Sequence, residues 1–115
     1  MNPVPALDPI GPRYRIDLFE IPAESFAPFM HRADWIQRYV GGLAGRGRNL
    51  VLAQASGPGR FKVVTLVEWA DGCKLLEAQA LTLAHYRMEG FNPAEFLARL
   101  GVRADGGVYA PVATS

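Results

Sequence analysis

Trp69, Arg87 and His85 are the residues of this 115-residue chain best suited to chemistry on a small organic molecule. Trp69 closes an alternating run in which Phe61, Val63, Thr65 and Val67 share its face. A large flat ring with an N–H donor can orient an aromatic ligand, or simply pack. Arg87 continues a helical stripe of Cys73, Leu76, Ala80, Leu83 and Ala84. A guanidinium on an apolar face needs a carboxylate, a carbonyl or a ligand anion; otherwise its stem covers the core and its head stays in water. A histidine such as His85 can shuttle a proton, or can lie on the helix surface. Tyr86 falls off the Arg87 stripe beside it. Trp35 and Tyr39 stand one turn apart and off the apolar stripe of their own helix, with His31 one turn before Trp35. That patch would line a pocket, form a dimer seam or cover a short helix. Thr65, Phe61, Trp35, Tyr39 and Tyr86 are therefore the candidate substrate contacts.

Other chemistries find less support. Asp17, Glu20 and Glu68 are strand carboxylates, and no spacing makes them an acid–base pair, so they read as solvated or salt-bridged. Gly45-Arg46-Gly47-Arg48 would form either an anion cradle or a flexible loop. Cys73 is the only cysteine, so no intrachain disulfide forms, which favours a reducing cytoplasm. With two histidines, no H-x-x-x-H and no C-x-x-C, no metal site is expected. The net charge of +1 offers no general attraction to nucleic acid or to an anionic membrane. Apolar runs stay far short of the ~20 residues that span a bilayer. The N-terminus does not read as a signal peptide.

The elements that must position these residues are marked by pattern. Residues 1–12 hold Pro3, Pro5, Pro9 and Pro12 and read as an extended arm, a loose tail or one lying on a neighbouring subunit. From Tyr14 the chain alternates: Tyr14, Ile16 and Leu18 make one apolar face, with Arg15, Asp17 and Phe19 on the other. Ile21-Pro22 ends that strand, and a helix starts at Ala23-Glu24-Ser25. Phe26, Phe29, Met30, Ala33, Ile36, Val40 and Leu43 form its stripe, and Gly41, Gly42, Gly45 and Gly47 stop it. Asn49 to Ser56 and Arg60 to Trp69 read as two strands joined at Ser56-Gly57-Pro58-Gly59, an antiparallel hairpin. Asp71 caps a helix running to about Met88. Asn92 caps a short third helix, with Pro93 at its first position and Phe91 and Phe96 at staple spacing, and Gly101 ends it. From Val102 the chain extends again, with Gly106-Gly107 as a bulge or turn before a closing strand at Val108-Tyr109-Ala110.

The order β-α-β-β-α-(α)-β predicts an α+β, ferredoxin-like domain over residues 13–112, with 113–115 as a tail. Its helices cover one face of a four-stranded antiparallel sheet. The strands are apolar on both sides, as Val64 and Leu66 opposite Val63 and Val67 show, and Leu50 and Leu52 opposite Val51 and Ala53. Sheets of that kind are buried on both faces. A second copy, related by a two-fold axis, supplies the missing cover most simply; the alternative is the chain's own C-terminal segment.

Tyr14-Arg15-Ile16-Asp17-Leu18-Phe19-Glu20-Ile21-Pro22 resembles the first strand and helix entry of the antibiotic-biosynthesis-monooxygenase family, within the dimeric α/β-barrel superfamily. Phe61 to Trp69, ending in Glu68-Trp69, resembles its third strand. The resemblance implies a homodimer with facing sheets and a pocket between sheet and helices. It also implies a cofactor-independent monooxygenase acting on a small phenolic aromatic. In such oxygenases a strand asparagine, a nearby tryptophan and an arginine on the second helix do the work. Trp69 fits the tryptophan and Arg87 the arginine, while Thr65 stands where the asparagine would. Haem-degrading relatives use a histidine on the second helix, which His85 would match, and an asparagine on the first strand, which this chain lacks. A non-catalytic small-molecule-binding dimer is the alternative. An RNA-binding domain shares the strand order but needs a different pattern of aromatics on the third strand.

Overall fold

The computed structural model describes Leu7 and residues 10–112. Most of the proline-rich arm and the tail 113–115 lie outside the described residues. Strand β1 is Arg13–Glu20, helix α1 Phe26–Gly41, β2 Arg46–Ala53, β3 Val63–Trp69, α2 Gly72–Met88, α3 Pro93–Leu100 and β4 Arg103–Tyr109. A single 3-10 turn, Ala23–Ser25, leads into α1. The strands form one sheet in the order β2-β3-β1-β4, and every pairing is antiparallel. This is the ferredoxin-like arrangement expected from the element order.

The end signals act as written. Asp71 accepts from the backbone N–H of Lys74 at 2.8 Å, and Asn92 from that of Glu95 at 3.1 Å. Phe91 and Phe96 meet ring to ring at 5.5 Å across the start of α3. Gly101 ends that helix with φ +70, a left-handed conformation that costs glycine nothing.

Several boundaries move, and the third strand begins at Val63 instead of Arg60. The second strand lies at Arg46–Ala53 instead of Asn49–Ser56, because an irregularity between Arg46 and Asn49 lets the strand begin earlier. The Arg48 N–H donates to Glu68 Oε1 at 2.9 Å, so Arg46-Gly47-Arg48 is strand holding the chain's own carboxylate, neither open cradle nor flexible loop. Gly106 and Gly107 are neither bulge nor turn: they sit within β4, opposite Asp17 and Ile16. A side chain at Gly106 would collide with the Asp17 carboxylate and the Ile16 carbonyl, which explains the glycine inside a strand.

The core lies between sheet and helices in two clusters. Ile21, Phe29, Ala33, Val63 and Val102 form one; Val40, Val67, Trp69, Leu75 and Ala78 form the other. The register sets the faces. Val63, Thr65, Val67 and Trp69 face the helices, and their partners on β1 are Phe19, Asp17, Arg15 and Arg13. The apolar triad Tyr14, Ile16 and Leu18 therefore lies on the outer face, opposite Glu68, Leu66 and Val64. On that face Leu50, Leu52 and Tyr109 are all exposed.

Candidate active site

A cavity of about 510 Å³ opens between the sheet and the helices, lined by residues of both core clusters and of α3. Most of its wall is apolar: Phe19, Phe29, Ile36, Val67, Leu75 and Phe96 contribute carbon surface. Trp69 forms part of the wall and is only 4% exposed, buried in the core and not at a rim. Thr65, likewise buried, and Tyr86 also line it. Three of the residues singled out from the sequence are thus brought to one chamber.

The polar part of the wall comes largely from Arg15, Asp17, Arg32 and Gln37, and Asp17, expected to be solvated or salt-bridged, is salt-bridged. Arg15 and Asp17 stand on the helix-facing side of β1, locked together: Arg15 Nη2 lies 2.8 Å from Asp17 Oδ1, and Nε donates to both carboxylate oxygens. That hydrogen bond raises the Arg15 pKa further, against the opposing effect of burial. Arg32, on α1, lines the same chamber. Its guanidinium lies over Phe91 at 4.4 Å and over Trp35 at 4.6 Å from the ring centroids. The Tyr86 phenol is pushed up to about 12, first by burial, then by the Asp17 carboxylate, with Arg32 opposing. It is a neutral hydrogen-bond donor at ordinary pH. Gln37 also faces the cavity, and its Oε1 is buried with no hydrogen-bond partner among the described residues. Such an acceptor suits a ligand hydroxyl.

Arg87 does not line the cavity and is exposed. The buried side of α2 carries Leu75 and Ala78, with Gln79, Thr82 and Tyr86 continuing it to the cavity. One residue is 100° of turn, so the stripe through Leu76 and Arg87 is rotated outward, and Leu76 is 65% exposed. Apolar residues occur all round this helix, and the stripe with more of them is the outer one. Of that stripe, Leu83 alone reaches the cavity wall.

His85 is also outside. It stacks on Tyr39 at 3.9 Å and 4°, and on Trp35 at 5.1 Å and 23°, joining α1 to α2. Trp35 further contacts Tyr86 and Phe91. Trp35, Tyr39 and His85 thus form an aromatic brace beside the chamber, not its lining, and the Tyr39 hydroxyl donates to the Leu81 carbonyl at 3.2 Å. His85 therefore belongs to that brace and not to the cavity wall. Phe61 precedes β3 and lies under the Arg60 guanidinium at 5.0 Å, away from the cavity, because the strand starts only at Val63. Cys73 is exposed. Among the described residues no three His, Cys, Asp or Glu side chains are grouped as a metal centre requires, and no helix is long and apolar enough to cross a membrane.

The Arg15–Asp17 alternation was visible in the sequence, but with Tyr14, Ile16 and Leu18 on the other face it did not mark which face is inward. Arg32 flanks the Phe29–Ala33–Ile36 stripe, which marks it as a boundary residue of the core.

No family model and no curated protein matches the sequence. Solved structures do match. A candidate monooxygenase from Shewanella loihica PV-4 is 11% identical, with TM-score 0.66 over 91% of this chain and 99% of that one. An asparagine-to-alanine mutant of SnoaB, a cofactor-independent oxygenase from Streptomyces nogalater, is 17% identical, with TM-score 0.65 over 90% and 95%. A dabb family protein with a ferredoxin-like fold from Mesorhizobium loti is 14% identical, with TM-score 0.58 over 90% and 99%. Identities this low speak for architecture alone, and the architecture this chain shares with those oxygenases is the ferredoxin-like α+β fold.

Proposed function

We propose that the chain is a cofactor-independent monooxygenase that oxidises a small phenolic aromatic in the cavity between sheet and helices. The observation that carries the reading is the chamber itself: an apolar wall with Trp69 in it, interrupted by a hydroxyl donor at Tyr86 and an unpaired acceptor at Gln37. The fold shared with cofactor-independent oxygenases supports it. In the reaction an ionised phenol passes an electron to dioxygen, and the two radicals combine at ring carbon. One oxygen atom stays as the quinone carbonyl; the other leaves as water with the two substrate hydrogens. The protein's share is a dry chamber, a flat ring at Trp69 against which the substrate packs, and Tyr86 and Gln37 to orient its oxygen atoms.

The functional unit in this reading is a homodimer. The outer sheet face, with Leu50, Leu52, Leu66, Ile16 and Leu18, is apolar enough to pack on its own copy.

Oxygen consumption with hydroxylated polycyclic aromatics, followed together with quinone absorbance, tests the activity. Stoichiometric uptake that falls in Tyr86→Phe and Trp69→Phe supports it. Tight binding with no oxygen uptake would instead leave a non-catalytic binding dimer.

A further inference from the structure

Two arginines and one carboxylate share the cavity wall, and they do not cancel. Arg15 is neutralised by Asp17 at 2.8 Å. Arg32 has no carboxylate within ion-pair distance and donates no hydrogen bond among the described residues. Arg32 also lines a second cavity, of about 250 Å³, with Glu89, Glu95 and Arg99, yet neither glutamate reaches it as an ion pair. What holds the guanidinium is its face: Phe91 and Trp35 within 4.6 Å, and Phe96 at 5.9 Å. Stacking of this kind steadies the plane and leaves the edge N–H groups unspent. A half-buried cation with free donors on an apolar chamber is short of one negative charge.

We infer that Arg32 is the anion-binding group of the cavity, and that the ligand it receives is an aromatic monoanion, a phenolate or an arene carboxylate. The inference rests on the cavity being the ligand site proposed above and names the charge of what enters it. It moves the cationic role from Arg87, which points to solvent, to a residue on the opposite helix. Tyr86 belongs to the same arrangement, since its phenol feels both the Asp17 carboxylate and the Arg32 guanidinium. A ligand anion at Arg32 would accept from that hydroxyl as well. The Arg15–Asp17 pair then serves as a neutral wall that does not compete for the anion.

Calorimetric titration of the full chain with naphthoate and with naphthamide tests this, because the two share shape and differ in charge. Wild type is expected to bind naphthoate at least about tenfold more tightly, the scale of one charge-assisted contact. Arg32→Gln should erase that preference and leave naphthamide affinity within about threefold. Arg32→Lys, which keeps the charge and loses the planar fork, should retain part of it. Arg87→Gln should change neither ligand. Equal binding of the two ligands by wild type, or a preference that survives Arg32→Gln, overturns the inference and leaves the phenolic site standing. Loss of both ligands in Arg32→Gln and Arg32→Lys alike makes Arg32 a structural brace and overturns it too. Failure of wild type to bind either ligand overturns the site reading and this inference together.

Discussion

Arg15 and Asp17, two residues apart on one face of β1, bind each other through three nitrogen–oxygen contacts of 2.8 to 3.2 Å while facing the helices. Their mutual engagement decides the charge of the chamber. Asp17→Asn would release Arg15 and give the cavity a second free cation. Affinity for naphthoate should then rise several-fold over wild type, about 1 kcal/mol, with naphthamide unchanged. Isothermal titration of the variant checks it, and a fall in naphthoate affinity would place the pair's role elsewhere.

Gly106 is the seat of that ion pair. Gly106→Ala sets a methyl group against the Asp17 carboxylate and the Ile16 carbonyl. The strand must shift or Asp17 must turn away, so a loss of roughly 1–3 kcal/mol of stability is expected. Urea denaturation measures it, and Gly107→Ala, opposite Ile16 with nothing nearer than the Tyr109 ring at 3.7 Å, should cost less.

Trp69 is both wall and core. Trp69→Ala should destabilise by about 3–5 kcal/mol because the ring is buried among Val40, Val67, Leu75 and Ala78. Trp69→Phe should keep most of the stability while weakening aromatic ligands. Chemical denaturation and ligand titration on the pair of variants separate the two roles.

The outer sheet face predicts an oligomer. Leu66→Lys places a charge at its centre, beside Ile16 and Leu50. Sedimentation velocity should show a dimer for wild type and a monomer for the variant. A wild-type monomer at micromolar concentration would refute the homodimer.

Two tyrosines should titrate late. Tyr86 is pushed up to about 12 by burial, and Tyr14 is raised by donating to Glu68 at 3.1 Å. A phenol whose folded value exceeds its unfolded value contributes stability that is complete below the unfolded value and lost as pH rises through the folded one. Stability should therefore decline between about pH 10 and 12, and Tyr86→Phe should flatten part of that decline. Glu68 works in the opposite direction. The Arg48 N–H, then the Tyr14 hydroxyl, hold its carboxyl below the usual value, so its contribution is lost as pH falls through that depressed value. Glu68→Gln should soften the acid limb of the stability profile.

Element order, helix caps and the hairpin were legible in the residues because each rests on local chemistry. Asp71 and Asn92 accept from N–H groups three residues away, Gly101 supplies a left-handed φ, and the alternation of β3 names its own two faces. The same alternation put Thr65 and Trp69 on one face of β3, the face that lines the cavity. Periodicity separates the faces of an element but does not say which one another layer will cover. On β1 the greasier face, Tyr14-Ile16-Leu18, turned outward, and Arg15 and Asp17 turned in; on α2 the richer stripe through Leu76 and Arg87 turned to solvent. Those choices depend on register with β3 and on which helix flank meets the sheet, contacts made between segments far apart in the chain. Only the packed structure decided them, because burial is settled by the whole chain and not by the segment.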